Sequence, residues 1–285
     1  MEFYSTERIN EYVILIRSCM GELLYLVEGE KSAVLIDTCV GAGHLKELIE
    51  TLTAKPYKVL LTHGHVDHAP GAAEFADVYL NEKDIPLYRR YCMLEERLGY
   101  MQAGMGPHFK ELDQASVLAP MPEKEFHFLE DGDIFDLGGI HIEAYAFPGH
   151  TPGCMVFLIR ELRILILGDA CCNSTFLFDN DACSLEEYME SLRNVRARLE
   201  GAFDWVWLCH HEMETGADIM ESVLEVCQEA MLGQADDVPF EFMGHHAYIA
   251  KRCKERFQRE DGKCGNIVYS KEKLYKPSEY REEDR

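Results

Sequence analysis

Residues 62–68 read Thr-His-Gly-His-Val-Asp-His and directly follow the short apolar run Tyr57–Leu61. A metal ion needs several lone-pair donors that converge on one point, and imidazole combined with carboxylate suits zinc and other divalent first-row ions. On a loop that leaves a strand, alternate side chains point the same way while the chain bends, so one segment can serve two adjacent metals. The stretch therefore predicts a metal-binding loop, and its candidate ligands are His63, His65, Asp67 and His68.

Three more metal-competent side chains follow apolar runs elsewhere in the chain. His150 lies in residues 147–153, which read Phe-Pro-Gly-His-Thr-Pro-Gly, and Asp169 follows an apolar run and a glycine. His210 comes directly after the run Trp205–Cys209. One such coincidence would mean little, but three of them in addition to the histidine loop are best explained by a shared site at the ends of strands.

Short β-rich runs alternate with helical patterns, which predicts two β-sheets packed face to face with helices on their outer faces. Ser184 followed by Glu187 three residues later predicts a capping box at the start of a helix. The predicted strands are Tyr12–Arg17, Leu23–Glu28, Ala33–Asp37, Tyr57–Leu61, Asp77–Leu80, Glu125–Leu129, Ile134–Phe135, Ile140–Phe147, Met155–Ile159, Ile164–Leu167 and Trp205–Leu208. The predicted helices are His44–Leu52, Ser184–Leu199 and Glu214–Leu232.

Two segments stand apart from this alternation. Glu82–Lys124 is too long for a plain connection and is rich in Met and Tyr. It is either a helical hairpin that buries its own apolar face or a cap that lines a substrate pocket. The segment from Gly244 onward is charged, and we expect its last residues to fray. We therefore predict one domain over residues 1–243, with a helical cap insertion at about 82–124, and a C-terminal extension over residues 244–285.

Composition restricts the partners. The chain has 51 acidic against 28 Lys and Arg residues, a formal charge of −23, whereas binding to nucleic acid needs clustered cations. No stretch reaches the roughly 18 uninterrupted apolar residues of a membrane helix. The N-terminus lacks the features of a secretory signal. Eleven scattered cysteines then favour reduced thiols in the cytoplasm. We expect a small-molecule substrate and no binding to nucleic acid or membrane. The sequence leaves open whether the chain forms a homodimer.

The residues quoted above resemble the metallo-β-lactamase superfamily, whose pattern is HxHxDH, a His in a P-G-H-T-P-G turn, an Asp after a strand, and a last His. The similarity covers about residues 12–232. It implies an αββα sandwich of two packed mixed sheets with helices on the outer faces, and it points to the metallohydrolase branch that includes glyoxalase II.

The resemblance also implies how the candidate ligands are shared between two divalent metal ions, of which zinc fits the donors best and iron or manganese is compatible. One metal is held by His63, His65 and His150, and the other by Asp67, His68 and His210. Asp169 bridges the two metal ions. Asp67 and Asp169 are the residues expected to be catalytic. Asp37 ends an early strand, as an acid does in this family, and is expected to orient a ligand imidazole without binding metal itself.

One departure from the family pattern leaves an alternative open. The last His usually follows a Gly, but here Cys209 precedes His210 and His211 comes directly after it. By its position in the pattern His210 is the preferred ligand, and His211 is then expected beside the site or in solvent.

The function that the resemblance implies is hydrolysis of an ester, thioester, lactone or phosphoester bond in a small molecule, by a hydroxide that bridges the two metal ions. The main alternative is an oxidoreductase of the persulfide dioxygenase type, which shares these motifs but uses one iron bound by two His and one Asp. A third reading is a non-catalytic binding module on the same fold.

Overall fold

A computed structural model describes residues 2–276 of the chain. These residues form two compact units. The first contains residues 2–146, Gly153–Gly168 and Gly201–Thr215, and the second contains Phe147–Pro152, Asp169–Glu200 and residues 216–276. The division into a domain over 1–243 and an extension over 244–285 stays a prediction.

Seventeen strands and five α-helices occur in the described part of the chain. In chain order the strands are β1 (Tyr4–Arg8), β2 (Val13–Ser18), β3 (Leu23–Glu28), β4 (Ala33–Ile36), β5 (Tyr57–Leu60), β6 (Val78–Leu80), β7 (His127–Phe128), β8 (Ile134–Asp136), β9 (His141–Ala146), β10 (Met155–Ile159), β11 (Ile164–Ile166), β12 (Thr175–Leu177), β13 (Trp205–Trp207), β14 (Glu214–Thr215), β15 (Val238–Phe242), β16 (His245–Ile249) and β17 (Ile267–Tyr269). The helices are α1 (Leu45–Leu52), α2 (Ile85–Tyr91), α3 (Leu94–Met105), α4 (Leu185–Arg198) and α5 (Ile219–Met231).

The first unit contains two mixed sheets. One has seven strands in chain order, β1 to β7, of which β4 to β7 run parallel. The other has six strands in the order β14-β13-β11-β10-β9-β8. Successive side chains of a strand point to opposite faces of its sheet. In β2, accordingly, Val13 and Leu15 belong to one buried cluster, and Ile14 and Ile16 belong to another.

The two sheets pack face to face within this unit. The cluster that contains Val13 and Leu15 also includes Phe157 of β10, Ile166 of β11 and Trp207 of β13. Burial of these side chains from water is the main force that holds the sheets together. The expected sandwich of sheets is therefore present in this unit.

Helices cover the other face of the seven-stranded sheet. Leu45 and Ile49 of α1 lie in the buried cluster formed by Ile14 and Ile16, as do residues of α2 and α3. Arg97 of α3 is 1% exposed and donates hydrogen bonds to backbone carbonyl oxygens, among them those of Val40 and Leu118. The segment 82–124 thus contains α2 and α3 and packs on the sheet rather than only on itself, and its role as a cap insertion stays a prediction.

The second unit combines two helices with a small sheet. Ser184 caps α4, and both hydrogen bonds of the predicted capping box with Glu187 are present. α4 and α5 pack together, and the sheet has the strand order β12-β17-β16-β15. A cluster of apolar side chains, among them Phe178 and Val268, is buried on this sheet.

Two expectations for the C-terminal third were wrong. The helix predicted from Glu214 begins at Ile219, because Glu214 and Thr215 form β14 and pair with β13. Strands β16 and β17 lie in the charged segment after Gly244 and were not predicted, because each is a run of only three to five residues between charged stretches. The expected fraying of the last residues falls on 277–285, outside the described residues. Among the described residues, no helix combines the length and apolarity needed to cross a membrane.

Candidate metal centre

The parallel pairing of β4 with β5 places an acid beside the histidine loop. Ile36 is opposite Leu60 in the register, so the residues that follow the two strands meet at the same sheet edge. Asp37 is the first residue beyond β4, and its φ of 64° lies in the left-handed region, which Asp tolerates better than most residues. The turn ends the strand and directs the carboxylate to the loop after β5.

Asp37 organises the base of that loop. Its Oδ1 accepts a hydrogen bond from the backbone N–H of Thr62 at 2.8 Å, and its Oδ2 lies 2.8 Å from His68 Nδ1. Asp37, Thr62 and His68 are all buried, with at most 2% exposure. A buried carboxylate next to an imidazole Nδ1 fixes the orientation of the ring, and the role of Asp37 in orienting a metal ligand stays a prediction.

His68, His210 and Asp67 bring three ligand atoms together in the first unit. His68 Nε2 lies 3.2 Å from His210 Nε2 and 3.7 Å from Asp67 Oδ2, and His210 Nε2 lies 3.4 Å from Asp67 Oδ2. Two ligands of a tetrahedral zinc ion, each at about 2.0–2.1 Å from the metal, are separated by about 3.3 Å. The observed triangle has the size of one face of such a tetrahedron.

Backbone contacts between the end of β13 and the start of β3 position His210 in this triangle. β13 ends at Trp207, and the carbonyl oxygen of Cys209 then accepts a hydrogen bond from Leu23 N at 2.8 Å. An isolated bridge also pairs His210 with Glu22. These contacts tie the end of β13 to the start of β3.

His211 takes a different position. Its φ is 55°, its backbone N–H donates to Gly21 O at 2.9 Å, and it is exposed. A Cβ added to Gly21 would lie 2.8 Å from His211 Nδ1, so the ring lies directly over that glycine. The structure thus brings His210, and not His211, to His68 and Asp67, although the ligand role itself stays a prediction.

His63 and His65 form the other half of the loop. Their rings are perpendicular with centroids 4.8 Å apart, and a ligand atom of each lies within 4.8 Å of the other. His63 is buried, and its Nδ1 lies 3.0 Å from Thr62 Oγ1. The ring of His63 also lies 4.1 Å from that of His68. All four candidate ligands of residues 62–68 therefore converge.

His150 and Asp169 lie close together in the second unit. His150 Nε2 is 3.9 Å from Asp169 Oδ2, and His150 Nδ1 lies 2.8 Å from the carbonyl oxygen of Phe176. Because a carbonyl oxygen only accepts hydrogen bonds, Nδ1 carries the proton and Nε2 keeps its lone pair for a metal. Gly149 allows the turn to approach Tyr188, whose ring would lie 2.4 Å from an added Cβ.

The helical segment 82–124 contributes residues that the sequence did not reveal. Asp84 is fully buried and accepts hydrogen bonds from Gly64 N at 2.9 Å and from Gly153 N at 2.6 Å. It therefore fixes the backbone between His63 and His65. An acid before a helix looks like an ordinary capping residue, so no sequence signal marks this role.

Two tyrosines of the same segment also reach the loop. The ring of Tyr91 meets that of His65 edge to face at 5.3 Å. Tyr100 Oη lies 3.1 Å from Asp67 Oδ2 and 2.8 Å from Glu22 Oε1. Burial, and then the nearby charges of Asp67 and Glu22, raise the pKa of Tyr100 well above its usual value, so its hydroxyl stays protonated.

The donor set fits divalent metal ions. In the first unit, four imidazoles and one carboxylate lie at the edge of the sheets with ligand-sized separations. Hydrogen bonds of His68 with Asp37 and of His63 with Thr62 orient these rings, as is usual for metal-binding histidines. An arrangement of this kind can hold zinc or another first-row divalent ion and can lower the pKa of a bound water.

Comparison with known proteins agrees with this chemistry. The model of the Metallo-beta-lactamase superfamily matches residues 19–200. The hydroxyacylglutathione hydrolase GloC from Haemophilus influenzae is 30% identical over 148 residues, which cover 50% of this chain and 62% of that protein. An atrochrysone carboxyl ACP thioesterase from Aspergillus fumigatus is 25% identical over 182 residues, covering 62% of this chain and 47% of that protein. The chain thus spans about half the length of these curated relatives.

Solved structures show the same fold. A metallo-beta-lactamase from Pontibacter korlensis is similar with a TM-score of 0.56 and 19% identity, covering 79% of this chain and 99% of that one. An archaeal metallo-beta-lactamase superfamily protein from Sulfolobus tokodaii gives a TM-score of 0.50 and 21% identity, covering 78% and 84%. The predicted fold class is confirmed. Because the family model covers more than half of its length, this chain belongs to the metallo-beta-lactamase superfamily.

Proposed function

We propose that the protein is a metal-dependent hydrolase that uses two divalent metal ions to cleave an ester, thioester, lactone or phosphoester bond in a small molecule. The observation that carries the proposal is the triangle of Asp67 Oδ2, His68 Nε2 and His210 Nε2, with sides of 3.2–3.7 Å. Three donor atoms of these types at ligand spacing suit a metal ion far better than they suit a purely structural cluster.

The ligand assignment follows the family pattern. We propose that one metal is held by His63, His65 and His150, that the other is held by Asp67, His68 and His210, and that Asp169 bridges the two. The contacts within each unit support the assignment, since each unit gathers its own share of these residues. Zinc is the preferred ion because imidazoles outnumber carboxylates, and iron or manganese is compatible.

When bound, the two ions supply a hydroxide nucleophile at neutral pH and polarise the carbonyl or phosphoryl oxygen under attack. The chain's own residues keep the site in its reactive arrangement. Asp37 holds the His68 ring with Nδ1 protonated, so that the lone pair of Nε2 can bind a metal ion. We propose that Asp169 accepts the proton that the nucleophile loses.

Acyl thioesters are the first substrates to test. Two relatives are named a hydroxyacylglutathione hydrolase and an ACP thioesterase, and both names denote the release of an acyl group. We therefore propose that the protein belongs to the hydrolase branch that includes glyoxalase II. We also propose a cytoplasmic location, which the eleven scattered cysteine thiols favour.

The test combines metal analysis with activity. The protein is stripped with a chelator, reloaded with zinc, manganese or iron, and assayed on thioesters, esters, lactones and phosphoesters. We expect about two metal ions per chain and turnover that returns with the metal. His68→Ala should lose both metal and turnover, whereas His127→Ala, at an exposed histidine paired with Asp77, should keep them.

Each alternative has its own outcome in the same experiment. One tightly bound iron per chain with oxygen consumption would replace the proposal with a mononuclear iron oxidoreductase. Two metal ions with no turnover on any substrate class would instead favour a binding module on the same fold.

A further inference from the structure

α3 carries a phenol hydroxyl into the proposed metal centre. Tyr100 Oη lies 3.1 Å from Asp67 Oδ2. That same carboxylate oxygen lies 3.4 Å from His210 Nε2 and 3.7 Å from His68 Nε2. The hydroxyl therefore contacts the carboxylate oxygen that faces both imidazoles.

Glu22 holds the phenol from its other side. Glu22 is 2% exposed, and its Oε1 lies 2.8 Å from Tyr100 Oη. Its Oε2 accepts a hydrogen bond from the Ser18 hydroxyl and lies 3.8 Å from Cys39 Sγ. A carboxylate enclosed in this way has few alternative orientations, so the position of the Tyr100 oxygen is well defined.

The contact restrains Asp67. Tyr100 Oη has one proton and lies within hydrogen-bond distance of two carboxylates, so that proton is shared between Asp67 Oδ2 and Glu22 Oε1. A carboxylate on a loop can rotate about its side-chain bonds, and a shared hydrogen bond to one oxygen limits that rotation. Partners of this kind, which bind a ligand rather than the metal, commonly contribute 10–100-fold to metal affinity. The ring of Tyr100 packs against the buried cluster of α1 and the sheet, so its placement does not depend on the hydroxyl.

We infer that Tyr100 is a positioning residue for Asp67, and that the helical segment 82–124 thereby strengthens metal binding by Asp67, His68 and His210. The inference rests on the proposed function, because it assumes that these three residues hold one of two metal ions. It gives the segment a role in loading the site that is separate from any contact with substrate.

The test measures metal affinity without any substrate. Tyr100→Phe removes only the hydroxyl, and zinc binding is followed by equilibrium dialysis against zinc-buffered solutions with elemental analysis. We expect one of the two zinc ions to bind about 10–100-fold more weakly, while the affinity for the other changes little.

Tyr88→Phe is the matched control. Tyr88 is a buried tyrosine of α2 in the same segment, and its hydroxyl donates to the carbonyl oxygen of Met121 at 3.1 Å. It also loses one buried hydrogen bond, so the two variants should have similar thermal stability. We expect Tyr88→Phe to bind both zinc ions normally.

Three outcomes count against the inference or its basis. If Tyr100→Phe binds two zinc ions as tightly as the unmodified protein, Tyr100 does not position Asp67. If Tyr88→Phe weakens zinc binding as much as Tyr100→Phe, the loss comes from the stability of the segment and the inference fails. If the unmodified protein itself binds fewer than two ions, the dinuclear site of the proposed function fails first.

Discussion

Asp37 Oδ2 lies 2.8 Å from His68 Nδ1, and neither side chain is more than 2% exposed. The carboxylate accepts a hydrogen bond from Nδ1–H, so the Nε2 lone pair of His68 is left on the side of His210, 3.2 Å away. One buried acid at the end of β4 thus sets both the tautomer and the direction of a proposed ligand.

Asp37→Asn should weaken metal binding. The amide can present its NH₂ group to Nδ1, which favours the wrong tautomer and leaves Nε2 protonated. We expect the affinity for one metal ion to fall about 10–100-fold, measured by dialysis and elemental analysis. Asp77→Asn is the control, because Asp77 lies 3.1 Å from His127 Nε2 on the surface, where both side chains are exposed. Equal losses in the two variants would show that the buried contact has no special role.

Gly64→Ala should disrupt the histidine loop. A Cβ at this position would lie 2.6 Å from the carbonyl oxygen of Asp84 and 2.9 Å from the Cβ of Leu87. Because both are close to the backbone of α2, the loop or the helix must move. Overpacking of this kind costs about 1–3 kcal/mol in the free energy of unfolding, and the shift should also lower metal content.

Gly99→Ala is the matched control for that substitution. Gly99 lies inside α3, and nothing lies within 4 Å of an added Cβ. Alanine should therefore stabilise the helix by about 0.5–1 kcal/mol and leave the metal content unchanged. Denaturant unfolding of both variants checks the pair, and a Gly64→Ala protein as stable as Gly99→Ala would contradict the crowding argument.

Asp84→Asn should destabilise the histidine loop and lower the free energy of unfolding. Each oxygen of Asp84 accepts a backbone N–H, from Gly64 and from Gly153, and the residue is fully buried. An amide can accept only one of these, so one N–H is left facing an NH₂ group at a cost of about 1–3 kcal/mol. Asp113→Asn, at an exposed turn where one oxygen accepts from Ala115 N, should change the free energy of unfolding far less.

Ser184→Ala should destabilise α4 in a pH-dependent way. The Ser184 hydroxyl and the Ser184 backbone N–H both donate hydrogen bonds to the Glu187 carboxylate. The pKa of Glu187 is lowered below its ordinary value of 4.5, and the bond from the hydroxyl is the largest cause. A carboxyl whose pKa is lower in the folded than in the unfolded state stabilises the fold at pH values above its unfolded-state pKa. This stabilisation is lost as the pH falls through its folded-state pKa. The difference from the unmodified protein should be about 1 kcal/mol at pH 7 and smaller below pH 4.5.

Ser184→Thr keeps the capping hydroxyl and serves as the control for that measurement. Its free energy of unfolding should follow that of the unmodified protein at both pH values. A Ser184→Ala deficit that grows on acidification would mean that Glu187 is not stabilised in its charged form, contrary to its pKa shift.

The sequence by itself determined the features that depend on local pattern. Short apolar runs bounded by turn residues placed most strands within one or two residues, as for Leu23–Glu28 and Met155–Ile159, and the Ser184 capping box was predicted correctly. The spacing of residues 62–68 singled out the histidine loop because lone-pair donors so close together in sequence cannot be far apart in space.

Only the tertiary structure decided what depends on distant segments. The choice of His210 over His211 at the triangle follows from a turn with positive φ and from the pairing of Cys209 with Leu23. The contacts of Asp84 and Tyr100 with the loop arise because α2 and α3 pack on the sheet beside it. Such contacts join residues far apart in the chain, and no local preference encodes them, because burial and hydrogen bonding select them only once the sheets have formed.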